Sequence, residues 1–138
     1  MFIQKPKKIA ERITLKPGMI VVEIGPGKGN YTKIIAEKIL PGGLVYAVDI
    51  QVPIIEKLRE KIEKENIPNI IPKIDDAYKF SFEDRSVDRV FANTYLSEIS
   101  DPVKMLQECR RILKKDGIIS LCEMALDPDY PWRKTEKK

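Results

Sequence analysis

The feature that most constrains the fold is the stretch at residues 21–32, which reads VVEIGPGKGNYT. Residues 19–24 form a short, continuous apolar run closed by a glycine, which is typical of a strand covered on both faces. Glycines then recur at alternate positions, Gly25, Gly27 and Gly29, and a helical pattern follows. The stretch therefore predicts a strand, a flexible turn and a helix in immediate succession, which is the beginning of a parallel β–α unit.

The same alternation of strand and helix continues along the chain. Further apolar runs predict strands at residues 44–49, 69–74, 87–93 and 118–124. Apolar residues at helical spacing predict helices at residues 5–13, from Asn30 to a stop at Pro41, from Pro53 to Asn66, and from Asp101 to a stop at residues 114–117. Strands that alternate with helices indicate right-handed crossovers within one α/β domain, residues 1–138.

Two details of this pattern bear on the layout of the sheet. Pro72 cannot donate to a β-ladder, so we place the strand at residues 69–74 at a sheet edge. Residues 77–87 form a polar stretch in which we expect Phe80 and Phe82 to turn inward. We find no internal repeat and no low-complexity segment.

Acidic residues follow three of the predicted strands at the edge where a parallel sheet binds its ligands. Glu23 precedes the glycine turn, and a carboxylate there repels a diphosphate but favours an ammonium or sulfonium group. Asp49 ends the second strand, where it can accept from both ribose hydroxyls. Asp76 can accept from an adenine amino group, and Ile50 offers an apolar face to the base. The set predicts a ligand with a positive end attached to a nucleoside.

Each member of this set is also compatible with a different cofactor or with a purely local role. A dinucleotide site has the pattern G-x-G-x-x-G, whose third glycine falls at Asn30 in this chain, so a nicotinamide-dependent oxidoreductase is disfavoured. Asp49 alone could cap the following helix, and Asp75 and Asp76 alone could form a turn. Glu23 is the hardest to explain structurally, because a carboxylate in a buried strand is costly without a partner.

Composition narrows the class of protein. The sequence has 43% hydrophobic and 33% charged residues and a net charge of +4, with no basic stripe interleaved with aromatic residues, so we do not expect a nucleic-acid partner. Histidine is absent, which excludes histidine-based acid–base catalysis and the usual zinc sites, and we predict no metal. Cys109 and Cys122 read as small core residues in a reducing compartment, and no apolar run is long enough for a membrane span, so we expect a cytoplasmic protein.

With these motifs in place, the sequence resembles the class I S-adenosylmethionine-dependent methyltransferases. VVEIGPGKGNYT is similar to the family's first motif and VYAVDI to its second, and the likeness extends over residues 16–129. The resemblance implies a Rossmann-like three-layer α/β/α sandwich with a mostly parallel sheet in the order 3-2-1-4-5, and S-adenosylmethionine as cofactor. It implies these cofactor-binding residues: Glu23, Gly25, Pro26, Gly27, Gly29, Tyr31, Asp49, Ile50, Gln51, Asp76, Ala77, Asn93 and Thr94.

The chain departs from the family pattern in two ways. Many relatives have a histidine before Glu98, where this chain has Ser97. The family also usually continues into two further strands, which we expect to be missing here, so that the strand at residues 118–124 becomes an apolar edge. Such edges pair with other chains, and we therefore expect a homo-oligomer, a dimer through this fifth strand.

The expected activity is methyl transfer from S-adenosylmethionine to an unidentified acceptor, for which we favour a small molecule. Positioning and exclusion of water can supply much of the catalysis, so the missing histidine does not exclude the reaction. Glu98 or Glu123 could act as a general base or be an ordinary surface acid, and no catalytic residue is assigned. The alternative is a non-catalytic module that binds S-adenosylmethionine or S-adenosylhomocysteine and needs a partner.

Overall fold

A computed structural model describes residues 14–93 and 99–122 of the chain. In this part, strands and helices alternate as the sequence predicts, except that a loop joins the third and fourth strands. The strands are β1 (Ile20–Ile24), β2 (Leu44–Asp49), β3 (Ile70–Ile74), β4 (Val87–Asn93) and β5 (Leu113–Cys122). The helices are α1 (Asn30–Lys38), α2 (Val52–Glu65) and α3 (Pro102–Ile112).

The strands form one sheet in the order β3-β2-β1-β4-β5, as predicted. Every pair of neighbours is parallel, so all carboxyl ends lie at one edge of the sheet. In this register Ile24 of β1 lies beside Val48 of β2, and Asp49 lies beside Ile74 of β3. The residues that follow β1, β2 and β3 are therefore neighbours at the edge where α/β proteins bind ligands.

The sheet is the middle of three layers and has buried apolar residues on both faces. Alternate residues of each strand face opposite layers. On one face Val21, Val45 and Phe91 pack against α1, and Ala47 packs with Leu58 of α2. On the other face residues including Val22, Val48 and Val90 pack against α3. The Rossmann-like α/β/α sandwich predicted from the sequence is confirmed, because the sheet is buried on both sides by helices.

The crossover from β3 to β4 contains a loop, residues 75–86, instead of a helix. Phe80 of this loop is buried and Phe82 packs against the same core, so the predicted inward orientation of both rings is confirmed. The loop is fastened to α3 by Arg111, which donates to the carbonyl oxygens of Phe80 and Phe82, both at 2.9 Å. The loop thus takes the place of a packing helix on this face of the sheet.

The sheet edge agrees with the prediction, and the largest difference in element boundaries lies at the end of the last helix. Pro72 does lie in an edge strand, because β3 has β2 as its only neighbour in the described sheet. The last helix was expected to extend to residues 114–117, but α3 ends at Ile112 and β5 begins at Leu113. Leu113 is buried and pairs with Val87, and this tertiary contact extends the chain where the local sequence favours a helix end.

Several predictions concern residues outside the described part. These are the helix at residues 5–13, the end of the fifth strand at residues 123–124, and the expectation that two final strands are lacking. Cys109 is buried as a free thiol, as expected. No helix in the described ranges has the length and apolar character required to cross a bilayer.

Candidate functional site

The glycine turn after β1 has a backbone that only glycine adopts easily. Gly25, Gly27 and Gly29 all have positive φ angles, 71°, 55° and 84°. The Gly25 amide donates to the Val48 carbonyl oxygen at 3.0 Å, which ties the turn to the end of β2. The turn therefore leads from β1 into α1 through left-handed conformations that a Cβ atom would strain.

Gly27 and Gly29 differ in the space around them. A Cβ atom on Gly27 would meet nothing within 4 Å, whereas one on Gly29 would lie 2.8 Å from Cδ1 of Leu58 in α2. Pro26 is buried and Gly27 is exposed. Gly29 is consequently required for packing between the turn and α2, while Gly27 leaves bare backbone facing open space, where a ligand can approach closely.

Glu23 is fully buried in the strand that leads into this turn. Its Oε1 accepts a hydrogen bond from the Thr32 hydroxyl in α1. Its Oε2 is also buried and has no donor among the described residues. Burial raises the pKa of the Glu23 carboxyl to about 7, although the Thr32 hydrogen bond acts in the opposite direction. This carboxyl is half ionised near neutral pH, and a positively charged ligand would favour its ionised form.

Asp49 lies at the end of β2, next to the glycine turn. Its Oδ1 accepts from the Gln51 amide at 2.9 Å, and the first helical residue of α2 follows Gln51. Gln51 itself is the N-cap residue, so the alternative interpretation of Asp49 as the helix cap is wrong. Beside it, the apolar side chain of Ile50 is 68% exposed. The pair offers a carboxylate and an apolar surface at the same strand end.

Asp76 follows β3 and forms a tight turn. Its Oδ1 accepts from the Tyr78 amide at 2.9 Å, and Asp75 accepts from the amide and the hydroxyl of Ser81. Both acids thus form turns, which is the local role that their position after a strand allows, but Asp76 remains exposed while Asp75 is half-buried. Ala77, the next predicted residue, is half-buried. Asp75 has a structural role in the loop, and Asp76 still presents its carboxylate to solvent.

The remaining predicted residues lie around the same edge or outside the described part. Tyr31, at the start of α1, packs its ring 5.5 Å from that of Phe91. Asn93 is the last residue of β4, and its backbone lies beside Cys122. Thr94, Glu98 and Glu123 lie outside the described residues. The structure therefore brings Glu23, Asp49 and Asp76, with their neighbours, to the carboxyl ends of three adjacent strands.

Sequence reasoning missed several residues that support this edge. Thr32 binds Glu23, Leu58 packs against Gly29, and Lys61 donates to the Lys28 carbonyl oxygen at 2.9 Å. A cavity of about 340 Å³ lies between the turn and α2, lined by Gly27, Lys28, Ile54, Lys57 and Leu58. Thr32 stands within the quoted motif, and a hydroxyl beginning a helix after a buried carboxylate was a usable signal. The roles of Leu58 and Lys61 depend on tertiary packing alone.

A larger groove of about 630 Å³ lies elsewhere, between the loop at residues 75–86 and α3. Among the residues that line it are Phe80, Glu108 and Arg111, which bind each other and hold the loop in place. Their polar groups already have partners, so the groove's size does not make it the better candidate. The edge that carries the glycine turn combines open backbone with a buried carboxylate oxygen, Oε2 of Glu23, that has no partner among the described residues.

The chemistry of this edge fits an adenosine that carries a positive sulfur. The buried carboxylate of Glu23 lacks one donor, Gly27 exposes its backbone, and Asp49 has a second carboxylate oxygen beside an exposed isoleucine. Within the described ranges, no cluster of three potential metal ligands occurs. The residues present therefore fit S-adenosylmethionine better than a dinucleotide, whose diphosphate Glu23 would repel.

Comparisons with known proteins agree with this fit. The family model described as a methyltransferase domain matches residues 15–138. A SAM-dependent methyltransferase from Aquifex aeolicus superposes with a TM-score of 0.79 and 29% identity, over 84% of this chain and 62% of that one. Phosphoethanolamine N-methyltransferase 1 of Haemonchus contortus, solved with phosphoethanolamine and S-adenosylhomocysteine, gives a TM-score of 0.74 and 31% identity over 85% of this chain and 24% of that chain.

Among curated proteins, the ubiquinone/menaquinone biosynthesis C-methyltransferase UbiE of Bordetella avium is 30% identical over 127 residues. The alignment covers 88% of this chain and 49% of that protein. The chain spans about half or less of the length of the first curated relatives that it matches. S-adenosylmethionine, the predicted cofactor, is the one on which the Aquifex aeolicus relative depends. The chain belongs to the methyltransferase-domain family, as the resemblance of its motifs predicted.

Proposed function

We propose that this chain is a methyltransferase domain that transfers the methyl group of S-adenosylmethionine to a small-molecule acceptor. The observation that carries the proposal is the buried Glu23 carboxylate, which lacks one hydrogen-bond donor among the described residues and lies behind a bare glycine turn. The relatives named above support a small acceptor, because UbiE acts in ubiquinone and menaquinone biosynthesis and the Haemonchus enzyme was solved with phosphoethanolamine. The identity of the acceptor in this chain is left open.

We assign each predicted residue a role in this proposal. S-adenosylmethionine supplies an activated methyl group on a positively charged sulfur. Glu23 would favour the positive end of the cofactor electrostatically, and Gly25, Gly27 and the turn between them would allow its close approach. Asp49 would accept from the ribose hydroxyls with the oxygen that Gln51 leaves free. Ile50 would cover one face of the adenine, and Asp76 with Ala77 would meet its amino edge.

The other predicted residues complete this arrangement in the proposal. Pro26 and Gly29 hold the shape of the turn, Tyr31 lies at the start of the following helix, and Gln51 flanks the adenine. Asn93 and Thr94 would face the methyl group and the acceptor, because β4, which ends at Asn93, lies next to β1 in the sheet. In-line positioning and exclusion of water would then lower the barrier without a nucleophilic side chain.

A second candidate function is a module that binds the cofactor without catalysis. It is favoured by the fact that the roles supported within residues 14–93 and 99–122 are holding roles, and none of them removes a proton from an acceptor. Both functions require binding of S-adenosylmethionine. Only the catalytic one releases S-adenosylhomocysteine when extracts of small molecules are supplied as acceptors, and mass spectrometry of the product distinguishes them.

Asp49→Ala tests the cofactor site directly. With ligand at about 100 times its dissociation constant, wild type should gain about 2.7 kcal/mol of stability, and the variant should lose most of that gain because the ribose contact is absent. Thermal unfolding with S-adenosylmethionine and with S-adenosylhomocysteine measures the shift. Asp116→Ala, an exposed acid far along the sequence from the motifs, is the control and should keep the shift. An equal shift in Asp49→Ala and wild type would contradict the assignment.

Self-association through β5 is also part of the proposal. In the described sheet β5 is the outer strand next to β4, and Ile118 is 44% exposed. An outer strand with exposed apolar residues tends to pair with another chain. Sedimentation at increasing concentration tests this, and Ile118→Lys should shift the equilibrium toward monomer. A wild-type chain that stays monomeric at high concentration would contradict the dimer.

A further inference from the structure

Thr32 occupies a particular position relative to the glycine turn. It lies in the first turn of α1, it is fully buried, and its hydroxyl donates to Oε1 of Glu23. The contact joins α1 to the strand on the other side of the turn, nine residues apart. Because Glu23 Oε2 has no donor in the described structure, the Thr32 hydroxyl fixes which carboxylate oxygen is satisfied and which is left open.

The described residues that adjoin Glu23 on the neighbouring strands are apolar. Its register partners there are Ala47 of β2 and Phe91 of β4. Helix α1 presents Thr32 and Ile35 to the same layer. The Thr32 hydroxyl is thus the polar contact that orients the carboxylate in this part of the chain.

Charged residues near this layer are engaged elsewhere. Arg89 of β4 directs its guanidinium to the carbonyl oxygen of Asp88, and Asp49 of β2 accepts from the Gln51 amide. Lys33 of α1 forms an exposed ion pair with Glu65. The pKa of Glu23 accordingly has two causes, burial, which raises it, and the Thr32 hydrogen bond, which lowers it.

We propose that Thr32 is a positioning residue for the cofactor site: its hydroxyl holds Oε1 of Glu23 so that Oε2 is the atom that receives the ligand's positive end. This inference rests on the proposed function, since it assumes that S-adenosylmethionine is the ligand. Thr32 touches neither the cofactor nor the acceptor in this role. It acts only through Glu23 and has two effects on it. It orients the carboxylate, and it favours the ionised form of the carboxylate.

Thr32→Val removes the hydroxyl and keeps the shape of the side chain. We expect its affinity for S-adenosylmethionine at neutral pH to fall about tenfold, the effect of losing one hydrogen bond to a charged group. Thr32→Ser restores the hydroxyl and should bind within about twofold of wild type. The control is Ser86→Ala, which removes an exposed hydroxyl that donates to the Glu83 carbonyl oxygen, and it should bind like wild type.

If Thr32 had only a structural role, the ratio of variant to wild-type dissociation constants would not change with pH. The proposal predicts that it does change. Without the hydroxyl, the pKa of Glu23 rises further, so the ratio of variant to wild-type dissociation constants should shrink as the pH increases from about 6 to about 9. Calorimetric titrations of the full chain over this range give that ratio. A ratio that is constant with pH, or Thr32→Val binding as tightly as wild type, overturns the proposal.

A second measurement separates this inference from the proposed function. Carbon NMR of the Glu23 carboxyl, in the chain without ligand, reports its titration midpoint directly. We expect the midpoint to be higher in Thr32→Val than in wild type and restored in Thr32→Ser. If wild type does not bind S-adenosylmethionine but the midpoint moves as expected, the cofactor assignment fails and the link between Thr32 and Glu23 stands. An unmoved midpoint overturns the link itself. Glu23→Gln identifies the resonance.

Discussion

Two glutamates connect a helix to another part of this fold, and they differ in how completely they are satisfied. Glu108 of α3 accepts from the Phe80 amide at 2.8 Å and from Nε of Arg111 at 2.6 Å. Glu23 of β1 accepts from Thr32 with one oxygen, and its second oxygen is buried without a donor among the described residues. The two carboxyl groups differ in pKa as a result. Hydrogen bonds from Arg111 lower the pKa of Glu108, whereas burial raises the pKa of Glu23.

This difference suggests how to tell a structural acid from one that binds a ligand. Glu108 fastens the loop at residues 75–86 to α3, and nothing more is needed to account for it. A buried carboxylate with an open oxygen is costly in the absence of a ligand, and proteins tolerate such costs mainly at functional sites. The following predictions test whether Glu23 and Glu108 really differ in this way.

The largest expected effect is that of Glu23→Gln on stability at alkaline pH. The folded state raises the pKa of Glu23 from 4.5 to about 7, so it binds the proton more tightly than the unfolded state does. Its contribution to stability therefore falls as the pH rises through that window, by roughly 3 kcal/mol in total. Since glutamine does not ionise, the variant should exceed wild type in stability by up to roughly that amount near pH 8, and match it near pH 4.5.

Denaturant unfolding at several pH values measures this difference, and Glu108→Gln is the matched control. The lowered pKa of Glu108 means that its contribution is present above the ordinary carboxyl pKa and is lost as the pH falls through the folded value. Its variant should thus be less stable than wild type at neutral pH and approach it in acid. Stability differences of the same sign and pH dependence in both variants would remove the distinction between the two glutamates.

The second prediction concerns the other member of the Glu108 pair. Arg111 binds Glu108, Asp84 and two loop carbonyl oxygens, so Arg111→Met should destabilise the fold by roughly 2 kcal/mol. We expect this loss without a change in the affinity for S-adenosylmethionine, because the loop end that Arg111 holds is not part of the proposed site. Denaturant unfolding and calorimetry measure the two quantities.

Arg110→Met is the control for that substitution. Arg110 is the exposed neighbour of Arg111 on the same helix, and its replacement should change stability by no more than about 0.5 kcal/mol. A similar effect of both variants would show that the network around Glu108 contributes little. A large loss of ligand affinity in Arg111→Met would extend the binding site to the loop and contradict the comparison.

The sequence predicted the parts of this fold that depend on local pattern and chain order. The apolar runs that end at Ile24 and Asp49 located two strand ends, and the family resemblance supplied the order that makes them neighbours. Glu23 and Asp49 could therefore be assigned to one edge from the sequence alone. The glycine turn was equally readable, because alternate glycines after a buried strand have few other uses.

The parts that could not be predicted depend on contacts between distant residues. The helix α3 was expected to end at residues 114–117, where lysines and a glycine resemble a helix C-terminus, but pairing of Leu113 with Val87 starts the strand earlier. The protonation of Glu23 depends on complete burial, and periodicity indicates burial only coarsely. Arg111 fastens the loop by binding Phe82 and Phe80, which lie 29 and 31 positions away from it in the sequence. No local sequence pattern reports such distant contacts.

The smallest expected effects come from the turn itself, where two glycines should separate folding from binding. Gly29→Ala places a Cβ 2.8 Å from Leu58 and strains a φ of 84°, so it should cost about 1 to 2 kcal/mol of stability. Gly27→Ala meets no atom within 4 Å and should cost only the strain of its φ of 55°, about 1 kcal/mol. Denaturant unfolding gives both values.

Calorimetry with S-adenosylmethionine should show the opposite order. The added methyl at Gly27 points into the open space where the ligand would approach, so Gly27→Ala should weaken binding more than Gly29→Ala does, by tenfold or more, equivalent to about 1.4 kcal/mol. If Gly27→Ala binds S-adenosylmethionine as tightly as wild type does, the glycine at this position is needed only for the backbone conformation of the turn. The open oxygen of Glu23 would then have to meet its ligand from another direction, since the turn in front of it would not be where that ligand enters.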